Sequence, residues 1–291
     1  MWNYTNKDIS EILKPISFYK KESLKYKDSF YEEIREKITN SFKDLIFEEK
    51  EHKYFLHDKK LISVSHICEI FSEKQDFDLI AKRSAIKLNM DWNILRNQWL
   101  LKGNIATYAG SFDHGYGEGL FNIYLGREDL IPKDNLININ GEYFSPLSPK
   151  QKAITKFFYD SENMREVPLL AEVKMYKEDW NISGTFDLLQ YSTEKEGIIM
   201  YDYKTNEGLE KTFFKPCFAP FDDLNSCSPL THYIFQQNIY KILLENIGIF
   251  VKEMYLIWLK DNGTYELVKI KDISSELKKV LPIFLKNNEI I

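Results

Sequence analysis

The chain has 291 residues, of which 44% are hydrophobic and 15% aromatic, so it can bury a sizeable core and is not a disordered polypeptide. Its formal net charge is −5, which argues against a protein that coats nucleic acid by charge alone. Residues 181–240 hold most of this excess, with eight acidic and four basic side chains.

Cysteine content and hydropathy limit the cellular setting. The three scattered cysteines, Cys68, Cys217 and Cys227, predict neither a disulfide framework nor a zinc or iron–sulfur site. The first twenty residues lack the apolar segment of a secretory signal, and no run approaches the roughly 18 apolar residues of a membrane span. We therefore expect a protein of the reducing cytoplasm without membrane attachment.

The first half of the chain predicts helices around one short hairpin. Lys and Glu crowd residues 1–50, where apolar residues recur at helical spacing, so we expect an N-terminal helical arm kinked at Pro15. Residues 103–126 are rich in glycine, so a helix there needs tertiary contacts to hold it. Between these segments we predict strands at 54–56 and 61–64, a helix from His66 capped by Ser65, and a helix over 78–102.

The second half predicts most of the strands. A connection over 127–148 leads to them, and an irregular segment over 206–230 interrupts them, longer than ordinary loops and therefore of functional interest. The predicted elements are a helix over 149–162, strands over 169–176, 182–190 and 197–205, a helix over 231–246 capped by Thr231, strands over 251–259 and 264–270, and a helix over 274–285.

Two of these strands carry carboxylates that the predicted strand pairing brings together. Side chains alternate along a strand, so Asp202 and Lys204 share one face while Tyr201 and Tyr203 take the other. A hairpin turning at 193–196 places Asp187 directly opposite Asp202. Opposed carboxylates repel each other unless a cation lies between them, and oxygen ligands suit Mg²⁺ or Mn²⁺. The alternative from spacing alone is an exposed hairpin with a surface Asp–Lys pair.

These residues resemble a known signature. Gly184-Thr185-Phe186-Asp187, followed by Asp202-Tyr203-Lys204, is similar to the core motif of the PD-(D/E)XK nuclease superfamily. His114, the last residue of Gly110-Ser111-Phe112-Asp113-His114, and Glu118, four residues later, resemble the histidine helix of its RecB-like and phage-type exonuclease members. Gln236 and Tyr240 resemble the Q-x-x-x-Y helix of the same group, in the family's order. Asp113 and the glycines around His114 depart from the family's helix.

The resemblance implies a fold and a domain plan. We expect an α/β fold with a mixed central sheet flanked by helices, a restriction-endonuclease-like core with N-terminal helical additions. Residues 1–50 would be the arm and residues 51–291 the nuclease domain, with its core at about 103–260.

It also implies roles for individual residues. His114, Asp187 and Asp202 would hold Mg²⁺ or Mn²⁺, and Lys204 would position the attacking water and stabilise charge. Glu172 is expected among the catalytic residues as a further acid, and Glu118 as support. Gln236 and Tyr240 would contact substrate phosphate or support Lys204; the alternative is a solvent-exposed helix face. For His114 the alternative is an ordinary core or surface histidine.

The function implied is a metal-dependent deoxyribonuclease, an exonuclease rather than an endonuclease, that acts on the ends of duplex or single-stranded DNA in phage or bacterial recombination and repair. No Gly-Lys pair and hence no ATP-binding P-loop is present, so a helicase would be a separate partner, as would a recombinase or single-strand-binding protein. No iron–sulfur cluster is expected, because the relatives that have one use four cysteines. The cell would be bacterial or phage-infected, and the oligomeric state stays open.

Two other functions remain open at this point. One is a nuclease-like fold that only binds nucleic acid or acts as a scaffolding subunit, and the other is a nuclease for RNA or an endonuclease. The segment over 206–230 has two interpretations as well. Its phenylalanines could stack on the bases of a displaced strand or anchor the loop in the core; they are Phe213, Phe214, Phe218 and Phe221.

Overall fold

The structure is a computed structural model and describes residues 29–48, 51–71, 76–125, 148–163, 166–211 and 213–288. Seven helices and eight strands occur in these ranges. The helices are α1 (Ser29–Phe42), α2 (Val64–Phe71), α3 (Phe77–Leu88), α4 (Trp92–Leu125), α5 (Pro149–Asn163), α6 (Pro229–Asn246) and α7 (Ser274–Asn287). The strands are β1 (Leu45–Glu48), β2 (Lys53–Leu56), β3 (Lys59–Ser63), β4 (Glu166–Lys177), β5 (Ile182–Ser192), β6 (Gly197–Lys204), β7 (Val251–Leu259) and β8 (Tyr265–Lys269).

All eight strands form one mixed, open sheet. The order is β1-β2-β3-β5-β6-β7-β8, and β4 pairs with β5 outside this path. The contacts of β3 with β5 and of β6 with β7 are parallel, whereas the other pairings are antiparallel. The predicted α/β class with a mixed sheet flanked by helices is therefore confirmed.

Two helical layers cover the sheet. The larger core cluster includes α1, α2, α6 and α7 on one face, with Phe235 and Leu281 fully buried in it. The smaller cluster joins α5 and the C-terminal half of α4 to the opposite face, where Tyr201 and Tyr203 are buried as expected. None of the described helices has the length and hydropathy of a membrane span.

The N-terminal segment is tied into the sheet wherever it is described. Residues 1–28, most of the predicted arm, lie outside the described residues. Tyr31, Ile38 and Phe42 of α1 are buried in the larger core cluster. The guanidinium group of Arg35 donates to the carbonyl oxygens of Pro168 (2.7 Å) and Leu169 (3.1 Å), at an irregularity in the β4 ladder. The boundary drawn at residue 50 therefore falls between two paired strands, β1 and β2.

Helix α4 departs most from the sequence-based expectation. We predicted one helix over 78–102 and a glycine-rich segment after it, but the helices break at residues 89–91 and α4 continues through the glycines for 34 residues. Residues 100–109 are exposed, and Lys102 in this part forms an ion pair with Glu207. Tyr116, Leu120 and Phe121, further along α4, are buried against the sheet. The predicted connection over 127–148 lies outside the described residues except for Ser148.

Two predicted helix caps are wrong by a few residues. Helix α2 begins at Val64, and the backbone N–H of His66 donates to the hydroxyl of Ser63 rather than to that of Ser65. Helix α6 begins at Pro229, where the hydroxyl of Ser228, and not Thr231, accepts from the first turn. In both cases a nearby serine was available earlier in the chain, and the helix starts there because proline and valine fit its first position.

Candidate functional site

The candidate site lies at a fork in the sheet. Strand β4 runs along one edge of β5, while β3 and β6 share the other edge. Strand β3 pairs with Ile182 and Ser183, and β6 pairs from Leu188 onward. Residues 184–187 of β5 lie between the two, where the C-terminal ends of β3 and β6 converge. Both helical layers can therefore reach this gap.

The predicted register of the hairpin is confirmed. Leu188 pairs with Tyr201 and Leu189 with Met200, so Asp187 and Asp202 are the next residues on their two strands. Beyond the last pair the carboxylate of Asp187 accepts a hydrogen bond from the backbone N–H of Tyr203 at 2.7 Å. The side chain of Asp187 thus makes the hydrogen bond between β5 and β6 at the point where these strands begin to separate.

At this point along β4 and β5, the side chains exchange the faces of the sheet toward which they point. Simple alternation predicts Phe186 and Leu188 on the same face, but Phe186 lies in the larger core cluster and Leu188 in the smaller one. Their partners Val173 and Ala171 divide in the same way. Glu172, between those partners, has a φ of +49°, in the left-handed region that a side chain with Cβ rarely adopts. The reversal therefore coincides with a strained backbone at an acidic residue.

Three side chains meet at the reversal. One ligand atom each of His114, Glu172 and Asp187 lies within 4.8 Å of the other two. The Nδ1 atom of His114, on α4, is 3.3 Å from a carboxylate oxygen of Asp187. Glu118 follows His114 by one helical turn, and its charge acts on Glu172. One imidazole and two carboxylates form a donor set that suits Mn²⁺ or Mg²⁺.

Asp202 lies beside this group and is engaged by Lys204. The two side chains form an ion pair, and the carboxylate of Asp202 is almost completely buried. The ammonium group of Lys204 also lies 4.4 Å from the ring centroid of Tyr233, on α6, a distance typical of a cation–π contact. The hydroxyl group of Tyr233 donates to the side-chain oxygen of Asn206 at 2.6 Å. Lys204 is therefore held between a carboxylate and an aromatic ring.

The pKa shifts at the site reflect neighbouring buried carboxyl groups and one lysine that keeps its charge. Burial, followed by repulsion from Asp187, Glu118 and Asp202, raises the pKa of Glu172 well above its usual range. Burial and Asp187 raise the pKa of Asp202 to about 6. Burial lowers the pKa of Lys204, but the carboxylates of Asp202 and Asp187 outweigh it and raise that pKa. In the metal-free protein Lys204 is consequently an ammonium ion at neutral pH.

Gln236 and Tyr240 are buried behind the site rather than on a solvent-exposed helix face. The amide nitrogen of Gln236 donates to the hydroxyl group of Tyr240 at 3.1 Å and lies 3.4 Å from the hydroxyl group of Ser65. The ring of Tyr240 packs on Gly184, where an added Cβ would lie 2.5 Å from a ring carbon. The glycine of the Gly-Thr-Phe-Asp segment thus admits the tyrosine of the Q-x-x-x-Y segment, and both support the fork.

A second glycine has the same effect in the other helical layer. A Cβ at Gly117, on α4, would lie 2.7 Å from the ring of Tyr203. That ring in turn meets the ring of His114 edge to face, with centroids 5.5 Å apart. The glycine lets α4 approach the sheet closely enough for His114 to reach Asp187. This explains why a glycine at position 117, close to His114, is compatible with the site.

Sequence reasoning missed two features of the site. Tyr233 carried no motif of its own, although its position three residues before Gln236 places it one helical turn away on the same helix. Glu172 was expected as a further acid, whereas the structure places it with His114 and Asp187 and leaves Asp202 next to Lys204.

Comparison with known proteins neither supports nor contradicts this description of the site. No protein-family model and no curated protein matches the sequence.

Proposed function

We propose that the protein is a metal-dependent nuclease that hydrolyses phosphodiester bonds of DNA and prefers DNA ends. The observation that carries the proposal is the meeting of His114, Glu172 and Asp187 beside the Asp202–Lys204 pair. Three ligands of this kind, next to a buried ammonium group, form an arrangement suited to phosphoryl chemistry. The same side chains carry the sequence resemblance to the PD-(D/E)XK superfamily, which implies the same chemistry.

Each side chain has a defined task in this proposal. His114, Glu172 and Asp187 would hold Mg²⁺ or Mn²⁺, and Asp202, whose charge interacts with those of Asp187 and His114, would be a further ligand. The bound ion supplies charge that polarises a phosphate oxygen and lowers the pKa of a water molecule. Lys204 donates hydrogen bonds from a fixed ammonium group to the negative charge that develops on the phosphate. Tyr203 positions His114, and Tyr240 keeps the fork open.

The local excess of negative charge fits this proposal. Burial and, after it, repulsion from neighbouring carboxylates raise the pKa values of Glu172 and Asp202 in the absence of an ion. A divalent cation would cancel that repulsion and turn an acidic site into one that attracts phosphate. Substrate binding should therefore depend on the metal.

The direct test is cleavage of three DNA forms by the purified protein. Linear duplex, nicked circular and closed circular DNA are incubated with Mg²⁺, Mn²⁺ or EDTA. We expect loss of the linear form with metal and no loss in EDTA, in Asp187→Asn or in Lys204→Ala. Asp44→Asn, which changes an exposed aspartate in the turn between α1 and β1, is the matched control and should retain full activity.

Several outcomes would contradict parts of the proposal. Degradation that persists in EDTA, or in both site variants, would overturn the site. Cleavage of closed circles would replace the preference for ends with endonuclease activity. Tight binding without cleavage under any condition would favour the scaffolding function, and cleavage of RNA but not of DNA would change the substrate.

A further inference from the structure

The loop after β6 divides its four phenylalanines into two pairs. Phe221 is completely buried, and Phe218, although 39% exposed, stacks near Phe71 and Phe235 of the larger core cluster. Phe213 and Phe214 are 56% and 62% exposed. The first two rings anchor the loop, whereas Phe213 and Phe214 contribute little to the core. These two residues are adjacent in the chain and both exposed, so their aromatic surface is available to a ligand.

The exposed pair lies on a braced segment. The side-chain amide of Asn225 donates to the carbonyl oxygen of Phe213 at 2.8 Å and accepts from the backbone N–H of Lys215 at 3.1 Å. Pro216 and Asn225 form a β-bridge, and the N–H of Cys217 donates to the carbonyl oxygen of Leu224 at 2.9 Å. This frame resists movement of the two rings into the core.

The braced segment lies at the same end of the sheet as the candidate site. It leaves β6 directly after Lys204, and Asn225 precedes the Ser228 cap of α6 by three residues. The second turn of α6 begins with Tyr233, whose ring covers Lys204. Upstream, the hydroxyl group of Ser228 and the N–H of Leu230 both donate to the carbonyl oxygen of Leu209. The loop is thereby fixed next to the mouth of the fork.

The charges around the rings suit a phosphate backbone. Lys211 and Lys215 flank the pair and are exposed. Three of the four acids of the same segment have other partners: Glu207 forms an ion pair with Lys102 at 2.6 Å, Asp223 with Lys271, and Glu210 accepts from Ser228 at 3.1 Å, whereas the fourth, Asp222, is exposed. Exposed lysines that alternate with aromatic rings are the pattern that binds single strands, since bases stack on the rings while cations meet the phosphates.

We propose that Phe213 and Phe214 form a stacking platform for unpaired nucleobases of the DNA strand that enters the candidate site. The inference rests on the proposed function, because the site supplies the reason for a strand to be there. The platform would hold the end of a strand after its bases have separated from their complement.

The test compares normal and abasic oligonucleotides. Binding of a fluorescein-labelled 12-nucleotide single strand is measured by anisotropy with Ca²⁺ in place of Mg²⁺, and again with a strand of equal length that carries abasic residues. We expect the Phe213→Ala/Phe214→Ala double variant to bind the normal strand at least about fivefold more weakly, since one stacked base contributes roughly 1 kcal/mol or more. Binding of the abasic strand should not change.

Two further variants sharpen the comparison. Phe250→Ala removes a 73% exposed phenylalanine next to the start of β7, at the end of the sheet opposite Lys204, and should bind like the wild type. Phe213→Trp/Phe214→Trp keeps aromatic surfaces and should retain or improve binding. An unchanged melting temperature of each variant shows that the fold is intact.

The outcomes separate this inference from the proposed function. Wild-type protein that binds and cleaves, together with a double variant that binds the normal strand as tightly as the wild type does, would overturn the platform alone. Binding that depends on the rings without any cleavage would support the platform and overturn the nuclease. Absence of all binding by the wild type, or ring-dependent self-association in sedimentation instead of binding, would overturn the platform by assigning the rings elsewhere.

Discussion

Glu172 lies opposite Asp187 at the position where the β4–β5 ladder reverses its facing, and its backbone has a φ of +49°. A left-handed conformation costs a residue with Cβ about 1 kcal/mol or more. Burial, and after it electrostatic repulsion from Asp187 and Glu118, raises the pKa of Glu172. Two unfavourable effects therefore coincide at one acidic side chain, as expected where a site is shaped for a ligand rather than for stability.

Replacing Glu172 should consequently stabilise the metal-free protein. We expect Glu172→Gln to raise the free energy of unfolding in EDTA because it removes the repulsion, and Glu172→Gly to raise it by about 1 kcal/mol through relief of the backbone conformation. Both variants should lose nuclease activity. Urea unfolding measures the effect, and Glu178→Gln, at an exposed glutamate, is the control. A clear loss of stability in Glu172→Gln would contradict this account.

Two glycines of helix α4 should respond in opposite directions to the same substitution. Gly103 has no atom within 4 Å of its would-be Cβ, so Gly103→Ala should stabilise the protein by about 1 kcal/mol through helix propensity. Gly117→Ala places a methyl group against the buried Tyr203 ring and should destabilise it by about 1–3 kcal/mol. Equal effects of the two variants in thermal unfolding would show that α4 does not pack as described.

The ring of Tyr233 should matter through Lys204. Tyr233→Leu removes the aromatic face beside the ammonium group and should reduce kcat by about 2- to 30-fold, the range expected of a cation–π contact. Tyr233→Phe keeps the face and loses only the hydrogen bond to Asn206, so its kcat should stay within about threefold of the wild type. Similar losses in both variants would assign the effect to the hydroxyl group instead. Leu209→Ala, a truncation in the same region, is the control for local loosening. A loss of kcat equal to that of Tyr233→Leu would assign the effect to loosening and not to the ring.

A buried carboxyl group far from the site should control the pH dependence of stability. Both oxygens of Glu166 accept from the hydroxyl group of Tyr201, at 2.6 and 2.8 Å, and burial raises the pKa of Glu166 to about 7. The folded protein therefore binds the proton more tightly than the unfolded chain. The stabilisation that this bound proton gives to the folded protein is complete below the unfolded pKa of about 4.5 and disappears as the pH rises through about 7.

Glu166→Gln removes this titration but keeps a polar partner for Tyr201. Between pH 4.5 and pH 8 the wild type should lose about 3 kcal/mol of unfolding free energy relative to the variant. Urea unfolding of both proteins across this range measures the difference, and other titrating groups cancel in the comparison because they are common to both. Parallel stability curves would contradict the buried environment of Glu166.

The sequence allowed the order of the elements and the hairpin register to be predicted, because alternation and turn position determine which residues oppose each other. It did not allow the reversal at Glu172 to be predicted, since alternation assumes extended backbone at every position. For the same reason it did not show that Glu172 lies within 4.8 Å of His114 and Asp187; the ligand role of Asp202 stays a prediction. The continuity of α4 through its glycines was missed because propensity alone weighs against each of them.

The central claim is that the acids at the fork bind a divalent cation that makes the site attract DNA. The most direct test is the affinity of the wild type and of Asp187→Asn for a duplex with a single-stranded end, measured by anisotropy in Ca²⁺ and in EDTA. We expect the wild type to bind at least about tenfold more tightly with Ca²⁺, which corresponds to about 1.4 kcal/mol, and the variant to show little difference. Equal affinity of the wild type with and without the cation would contradict the account.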